Sequence, residues 1–160
     1  MKLLIGLFLA LTVMGEPYSD FGHRVEAAEP VAGGTVYVPV YSHIYVGPKG
    51  TSFDLAISLS IRNTDPIRPI TILSVDYYDT AGKPVRRFQE KPLDLGPWAS
   101  TDYFVSESDS TGGFGASFIV KWKGPDGVNE PLMDGVMAGT RLGQGISFTS
   151  RGTAIRDPRP

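Results

Sequence analysis

The sequence predicts an all-β fold, an immunoglobulin-like antiparallel β-sandwich of seven or eight strands without a disulfide. From Phe53 to Thr64, in the segment FDLAISLSIRNT, apolar residues alternate with polar or small ones. This is the period of a strand with one face in a core and one in water. Short apolar runs recur about every 8–12 residues with turn residues between them, which is typical of a sandwich. The mature chain contains no pattern of a long amphipathic helix.

Composition limits the class of protein. The chain has 160 residues, 20% of them charged and 41% apolar, which fits one globular domain. It contains no cysteine, which excludes disulfides, thiolate zinc sites, cysteine nucleophiles and a cysteine-anchored lipid. A formal net charge of −2 gives no electrostatic basis for a nucleic-acid partner or for an acidic membrane surface.

The N-terminal region predicts export to the periplasm or the medium. Lys2 precedes an apolar run at 3–11 that is too short for a transmembrane helix and fits a secretory signal. Small residues at 13–15 and at 25–27 give two candidate cleavage points, and an uncleaved N-terminal anchor is the alternative. We therefore divide the chain into a signal peptide and leader (1–27), a linker (28–34), a sandwich domain (35–152) and a disordered tail (153–160).

Several strands have distinguishing features. The first, at 35–46, contains Pro39, which cannot donate to a ladder, so the segment is an edge strand or is broken by a bulge. At 70–79 the apolar phase changes near Ile72, which predicts a β-bulge there. Further strands are predicted at 85–88, 98–105, 116–123, 132–141 and 146–150.

Three phrases resemble an uncharacterised bacterial family of exported domains that is known by a domain-of-unknown-function label. They are YVPVYS at 37–42, SIRNT at 60–64 and GISFTSRG at 145–152. The segment from Phe53 to Val105 is also loosely similar to water-stress and late-embryogenesis-abundant domains. The resemblance covers about Thr35 to Gly152 and implies an exported immunoglobulin-like sandwich. It implies no activity and no site residues.

The loops can be sorted between the two ends of the sandwich. Because each strand crosses the sandwich once, successive loops alternate ends, and those at 47–52, 79–83, 106–115 and 142–145 are expected together. The loops at 64–69, 92–98 and 124–131 are expected at the other end. Binding sites on sandwiches are usually built on such loops. The candidate ligand-binding residues are Glu107, Asp109, Arg141, Gln144 and His43. The alternative is that the loop Gly and Asp residues serve only to form turns.

Metal binding and catalysis have weaker support. Glu107 and Asp109 could supply oxygens to Ca²⁺, although the full EF-hand pattern is missing, and the sequence indicates no cofactor. His43 is the one histidine left after cleavage at 27. Ser42 should point to the opposite face of a strand and so should not form a nucleophile–base pair with His43. No G-x-S-x-G motif is present.

The tyrosines at 37, 41 and 45 have even spacing and are expected on one face of the first strand. They either cover an edge strand or form a stacking platform for a sugar or a peptide. We therefore expect an exported, non-enzymatic binding module of the cell envelope, which contacts an envelope protein or a small ligand through its loops or an edge strand. The alternatives are a hydrolase that uses His43 with an Asp or Glu, and a calcium-dependent adhesion module.

Overall fold

The computed structural model describes residues 33–156, so the predicted signal peptide, most of the linker and residues 157–160 lie outside the described part. Residues 33–156 contain twelve strands and no helix. The strands are β1 (Gly33–Pro39), β2 (His43–Val46), β3 (Thr51–Asp54), β4 (Ala56–Arg62), β5 (Ile70–Tyr78), β6 (Pro84–Gln89), β7 (Leu93–Leu95), β8 (Ser100–Val105), β9 (Ser117–Lys123), β10 (Leu132–Arg141), β11 (Gln144–Arg151) and β12 (Thr153–Ile155).

The strands form two facing antiparallel sheets, which confirms the predicted all-β sandwich. One sheet has the order β12-β1-β9-β5-β6, with β7 also paired to β5, and the other has the order β11-β10-β4-β8. Strands β2 and β3 form a separate hairpin. The number of strands exceeds the predicted seven or eight for two reasons. Two of the predicted strands are each divided into two, and the three-residue strands β7 and β12 are not among the predicted strands. Within residues 33–156 no helix could cross a membrane.

The alternating segment from Phe53 to Thr64 supplies the centre of the core. Phe53, Leu55, Ile57, Leu59 and Ile61 are all buried, as the period-two pattern predicts. The segment is divided at Leu55, whose backbone N–H donates to the Ser42 carbonyl. On one side of this break β4 pairs with both β8 and β10, and on the other side β3 pairs with β2. A single buried face therefore continues through two different strand pairings.

A glycine allows the β2–β3 hairpin to approach the second sheet. A Cβ added to Gly139 on β10 would lie 2.5 Å from the Asp54 carbonyl oxygen and 2.8 Å from the Phe53 ring. No side chain fits at that separation, so the backbone of β3 can pass close to β10 only because residue 139 is glycine. This approach places the hairpin at one end of the sandwich.

The predicted first strand is divided as well. β1 ends at Pro39, and β2 begins at His43 and belongs to the hairpin. β1 is not an edge strand, because Thr35, Val36 and Tyr37 pair with β12. The sequence analysis predicts a disordered tail at 153–160, but residues 153–155 form the strand β12. This strand pairs with backbone groups of β1 that would otherwise lie at the edge of the sheet.

The predicted β-bulge on β5 is confirmed. The register of β5 against β9 shifts between Ile72 and Ser74. Ile70 and Ile72 before the shift and Val75 and Tyr77 after it are all buried. One extra residue therefore returns the apolar side chains of both halves of the strand to the same core.

The predicted sorting of loops between two ends is also confirmed. At one end, called here the first rim, the Thr80 N–H donates to the Gly112 carbonyl, and Arg141 Nη1 donates to the Ser52 carbonyl. The first bond joins the loops at 79–83 and 106–115, and the second joins the loop at 47–52 to the end of β10, next to the turn at 142–145. The other end, the opposite rim, contains the loops at 64–69, 92–98 and 124–131, which Arg68, Asn63 and Asp65 connect by hydrogen bonds.

Two buried polar residues hold the opposite rim. Asn63 Nδ2 donates to the carbonyls of Arg68, Leu95 and Gly96. The Asp65 carboxylate accepts from the backbone N–H groups of Ile67, Arg68 and Asn129. The N–H groups of Arg68 and Ile67, followed by that of Asn129 and the Arg68 charge, lower the pKa of Asp65 to about 2. This pair of side chains therefore stabilises the loop geometry and has no free group for a ligand.

Asp65→Asn should lower the urea midpoint of unfolding at pH 7, because an amide NH₂ would face the N–H of Asn129 and leave that donor unpaired. The pKa of Asp65 is lower in the folded protein than its usual 3.8, so the carboxylate stabilises the fold above pH 3.8. This stabilisation is lost as the pH falls towards 2. The urea midpoint of unfolding should therefore change less between pH 7 and pH 2 in Asp65→Asn than in the wild type. Asp126→Asn, at an exposed carboxylate of the same rim, is the control, and an equal response of both variants would contradict the assignment.

A buried tyrosine lies beneath the glycine-rich loop of the first rim. Tyr77 is 1% exposed and packs against the rings of Phe88 and Phe118. Its hydroxyl has no hydrogen-bond partner among the described residues. Burial, together with the nearby Asp109 charge, raises the pKa of Tyr77 to about 12. A Cβ on Gly112 would lie 1.9 Å from this hydroxyl, so the loop can cover Tyr77 only with glycine at that position.

Tyr77→Phe should leave the fold intact and raise the free energy of unfolding by about 1 kcal/mol, because it removes a buried hydroxyl that is unpaired. Guanidinium unfolding followed by tryptophan fluorescence measures this difference. A loss of more than about 1 kcal/mol would show that the hydroxyl makes a favourable hydrogen bond in solution.

Candidate functional site

The outer face of the β2–β3 hairpin carries the first part of the candidate site. Ile44 and Phe53 face each other across the hairpin and pack into the core. His43 therefore points outward opposite Asp54, and Tyr45 points outward opposite Ser52. Residues directly opposite in an antiparallel pair share a face and lie about 5 Å apart at Cβ. The hairpin thus presents an aromatic row beside a polar row.

The glycine-rich loop at 106–115 brings Phe114 against the aromatic row. The Gly113 carbonyl accepts a hydrogen bond from the Ser42 N–H. The Thr80 hydroxyl accepts from the Gly115 N–H and donates to the Gly112 carbonyl. Gly113 has φ +75°, a left-handed conformation that favours glycine. Hydrogen bonds on both sides of Phe114 therefore hold the loop in the position that brings this ring to the hairpin.

Five rings from three segments meet on this surface, which we call the aromatic shelf: Tyr41, His43, Tyr45, Phe114 and Phe148. The Tyr45 and Phe114 rings are stacked, with centroids 5.8 Å apart and an angle of 21°. Tyr41 lies edge-on to Phe114 at 5.2 Å and also contacts Phe148. Tyr45 is 61% exposed and Phe114 is 45% exposed. A cluster of aromatic rings that stays exposed at the end of a sandwich is typical of an interaction surface.

A small depression, which we call the polar cleft, lies beside the shelf. It has a volume of about 220 Å³ and is lined by Ser52, Phe53, Asp54, Glu107, Thr140 and Arg141. Arg141 Nη1 is 2.9 Å from the Ser52 carbonyl oxygen, and Ser52 Oγ is 3.4 Å from Asp54 Oδ1. Beyond Glu107 and Thr140 a shallower groove continues over Ala138, Gly139 and Gly145. The cleft brings two carboxylates, a guanidinium and two hydroxyls to one place.

The tip of the β10–β11 hairpin borders the same rim. Leu142 is 96% exposed and has φ +51°, and Gly143 follows with φ +78°. Two consecutive positive φ values are typical of a type I′ turn, a conformation that leucine rarely adopts. The hairpin therefore holds an apolar side chain in water on a strained backbone, which is typical of a binding loop.

The structure joins some of the predicted site residues and separates others. Glu107 and Arg141 line the polar cleft, and His43 belongs to the aromatic shelf. The Asp109 carboxylate instead accepts hydrogen bonds from the N–H and hydroxyl of Thr111 within its own loop. Gln144 pairs with Arg141 at the start of β11, and it does not line the cleft.

The sequence prediction does not include several residues of the site, among them Asp54, Phe114 and Phe148. Asp54 could have been found from the turn residues at 47–50, because a hairpin centred there pairs His43 with Asp54. Phe114 and Phe148 carry no such signal, because their contacts with Tyr41 depend on how distant segments fold together. Tyr37, predicted on the same face as Tyr41 and Tyr45, lies on β1 and makes no ring contact among the described residues.

The contacts of His43 define the chemistry at the edge of the shelf. In residues 33–156 no three His, Asp or Glu side chains converge as metal ligands would. The expectation that Ser42 and His43 point apart is wrong, because Ser42 lies in a bend before β2 and its Oγ is 3.4 Å from His43 Nδ1. Ser42 is nevertheless fully buried, so a substrate cannot reach its hydroxyl. The other ring nitrogen of His43 lies 3.3 Å from the Tyr45 hydroxyl.

A larger groove, of about 520 Å³, lies at the opposite rim between the two sheets. Its apolar lining includes Val36, Trp122 and Met133, and Gly33 and Ile155 also line it. Residues 33 and 155 lie at or next to the ends of the described range, so both ends of that range border this groove. None of the predicted site residues lines it.

Comparison with known proteins defines the family of the chain but no activity. No curated protein matches the sequence. A similar solved structure, titled "Crystal Structure of Thermotoga maritima 1070", is 14% identical, covers 77% of this chain and 96% of its own, and has a TM-score of 0.44. The family described as "Protein of unknown function (DUF3124)" matches residues 33–155, which is all but the last of the described residues. The chain therefore belongs to the DUF3124 family.

Proposed function

We propose that the protein is an exported, non-enzymatic binding module of the cell envelope, and that its binding surface is the aromatic shelf together with the polar cleft. The observation that carries this proposal is the exposed Tyr45–Phe114 stack, the most exposed part of a shelf that three separate segments of the chain build at one rim. Export is supported by the charged and apolar pattern of the first residues, which lie outside the described range.

The shelf is suited to binding because its aromatic rings already pack against one another. Fixing flexible side chains on association costs about 0.5–1.5 kcal/mol each, and rigid aromatic rings with few rotatable bonds avoid much of this cost. Tyr41 packs edge-on against Phe114 and is itself packed against Phe148, and the bonds from Ser42 and Thr80 hold the loop that carries Phe114. The ring area that remains exposed is therefore available to a ligand at a small entropic cost.

Strand addition is a poorer use of this rim. β3 pairs with β2 on one side, and the Arg141 guanidinium takes the Ser52 carbonyl on the other side. The β3 edge of the hairpin is therefore partly blocked for a partner strand. Side chains, rather than backbone groups, are what this end of the sandwich offers to a ligand.

The double variant Tyr45→Ala/Phe114→Ala should bind a purified envelope fraction of the source organism at least about tenfold more weakly than the wild type. Loss of a central aromatic contact costs about 2 kcal/mol or more in binding surfaces of this kind. Co-sedimentation of the mature domain with the envelope fraction measures the effect.

Phe104→Ala is the matched control, because Phe104 is 57% exposed but lies on β8, away from the shelf. It should bind as the wild type does. Absence of sedimentation for the wild type, or equal losses in Phe104→Ala and the double variant, would contradict the proposed function. Circular dichroism of each variant establishes that the fold is retained.

A further inference from the structure

We infer that the ligand of this surface is a glycan of at least two sugar rings, one packed flat on the open face of Tyr45 and the next bonded through its hydroxyls to the polar cleft. This inference rests on the proposed function and specifies its ligand class. The observations that carry it are the geometry of the shelf, the donors and acceptors of the cleft, and the register that joins the two.

The shelf offers a flat apolar face with a polar edge. Phe114 covers one side of the Tyr45 ring, and His43 meets it edge-on with centroids 5.3 Å apart. An exposed fraction of 61% leaves the remaining face of Tyr45 open. A sugar ring has an apolar face of C–H groups, which gains dispersion and apolar burial against an aromatic face. The Tyr45 hydroxyl at the edge, which lies 3.3 Å from His43 Nε2, has further hydrogen-bonding capacity for a hydroxyl of the same sugar.

The cleft supplies both hydrogen-bond donors and acceptors at short range. The carboxylates of Asp54 and Glu107 accept hydrogen bonds, and the Arg141 guanidinium donates, with one of its five N–H groups directed to the Ser52 carbonyl. A polyol needs such a mixed set, because every hydroxyl both donates and accepts. Hydrogen bonds that involve charged side chains are about twice as strong as neutral ones. Two carboxylates beside one guanidinium disfavour a polyanion, so the sugars over the cleft carry no acidic groups.

The cross-strand register places these two halves side by side. Tyr45 lies opposite Ser52, and His43 lies opposite Asp54, each pair about 5 Å apart at Cβ. A ring on Tyr45 therefore has the cleft as its immediate neighbour. A chain of linked rings can therefore place one sugar on Tyr45 and the next over the cleft.

To test this inference, the cell envelope is separated into a polysaccharide fraction, from which protein is removed by protease, and a protein fraction, from which glycan is removed. Each fraction is immobilised, and the binding of the mature domain to it is measured. We expect binding to the polysaccharide fraction, a loss of about tenfold or more in Tyr45→Ala and in Asp54→Asn/Glu107→Gln, and no change in Phe104→Ala. The carboxylate variants keep the shape of the cleft but remove its charged acceptors.

Binding to the protein fraction alone would overturn the glycan inference and leave the proposed function standing, whereas binding to neither fraction would contradict both. An NMR titration with oligosaccharides released from the polysaccharide fraction locates the site. The ring signals of Tyr45 and Phe114 should shift. Shifts confined to Trp98, which is exposed at the opposite rim, would overturn the placement.

Discussion

Burial of the apolar face from Phe53 to Ile61 is the constraint on which the rest of this structure depends. The strand partners of this segment change at Leu55, but its five apolar side chains stay buried on both sides of the change. A single apolar face therefore lies both at the centre of the second sheet and at the base of the β2–β3 hairpin. Because the core fixes both halves, the outward faces are fixed as well. His43, Tyr45, Ser52 and Asp54 point to solvent since their neighbours Ile44 and Phe53 point inward.

The two rims divide the polar chemistry of the protein between them. At the opposite rim the side chains of Asn63 and Asp65 form their hydrogen bonds with the backbone of the loops. At the first rim the backbone bonds hold the glycine-rich loop, and the side chains of Phe114, Glu107 and Arg141 remain available. A rigid scaffold that presents free side chains on its loops is the usual arrangement for binding by sandwich domains.

Local patterns predicted a large part of this fold, and tertiary pairing determined the remainder. The alternation in β4, the bulge at Ile72 and the sorting of the loops follow from side-chain period and strand crossing, which the sequence contains directly. The division at Leu55 and the pairing of β12 with β1 depend on which backbone groups distant strands leave free. Glu107, Arg141 and His43 were identifiable as polar loop or strand-end residues. Phe114 was not, because its role depends on contacts with β2 and with Thr80 that no local pattern encodes.

The free energy of unfolding of Leu59→Ala, compared with that of Ser58→Ala, tests the central claim most directly. Leu59 is fully buried on the core face of β4, and Ser58 points to the outer face beside Phe104. Urea unfolding should show a loss of about 2–5 kcal/mol for Leu59→Ala and a change within about 0.5 kcal/mol for Ser58→Ala. Similar small losses in both variants would contradict a sandwich closed over this face, and with it the position of the rim that we assign to binding.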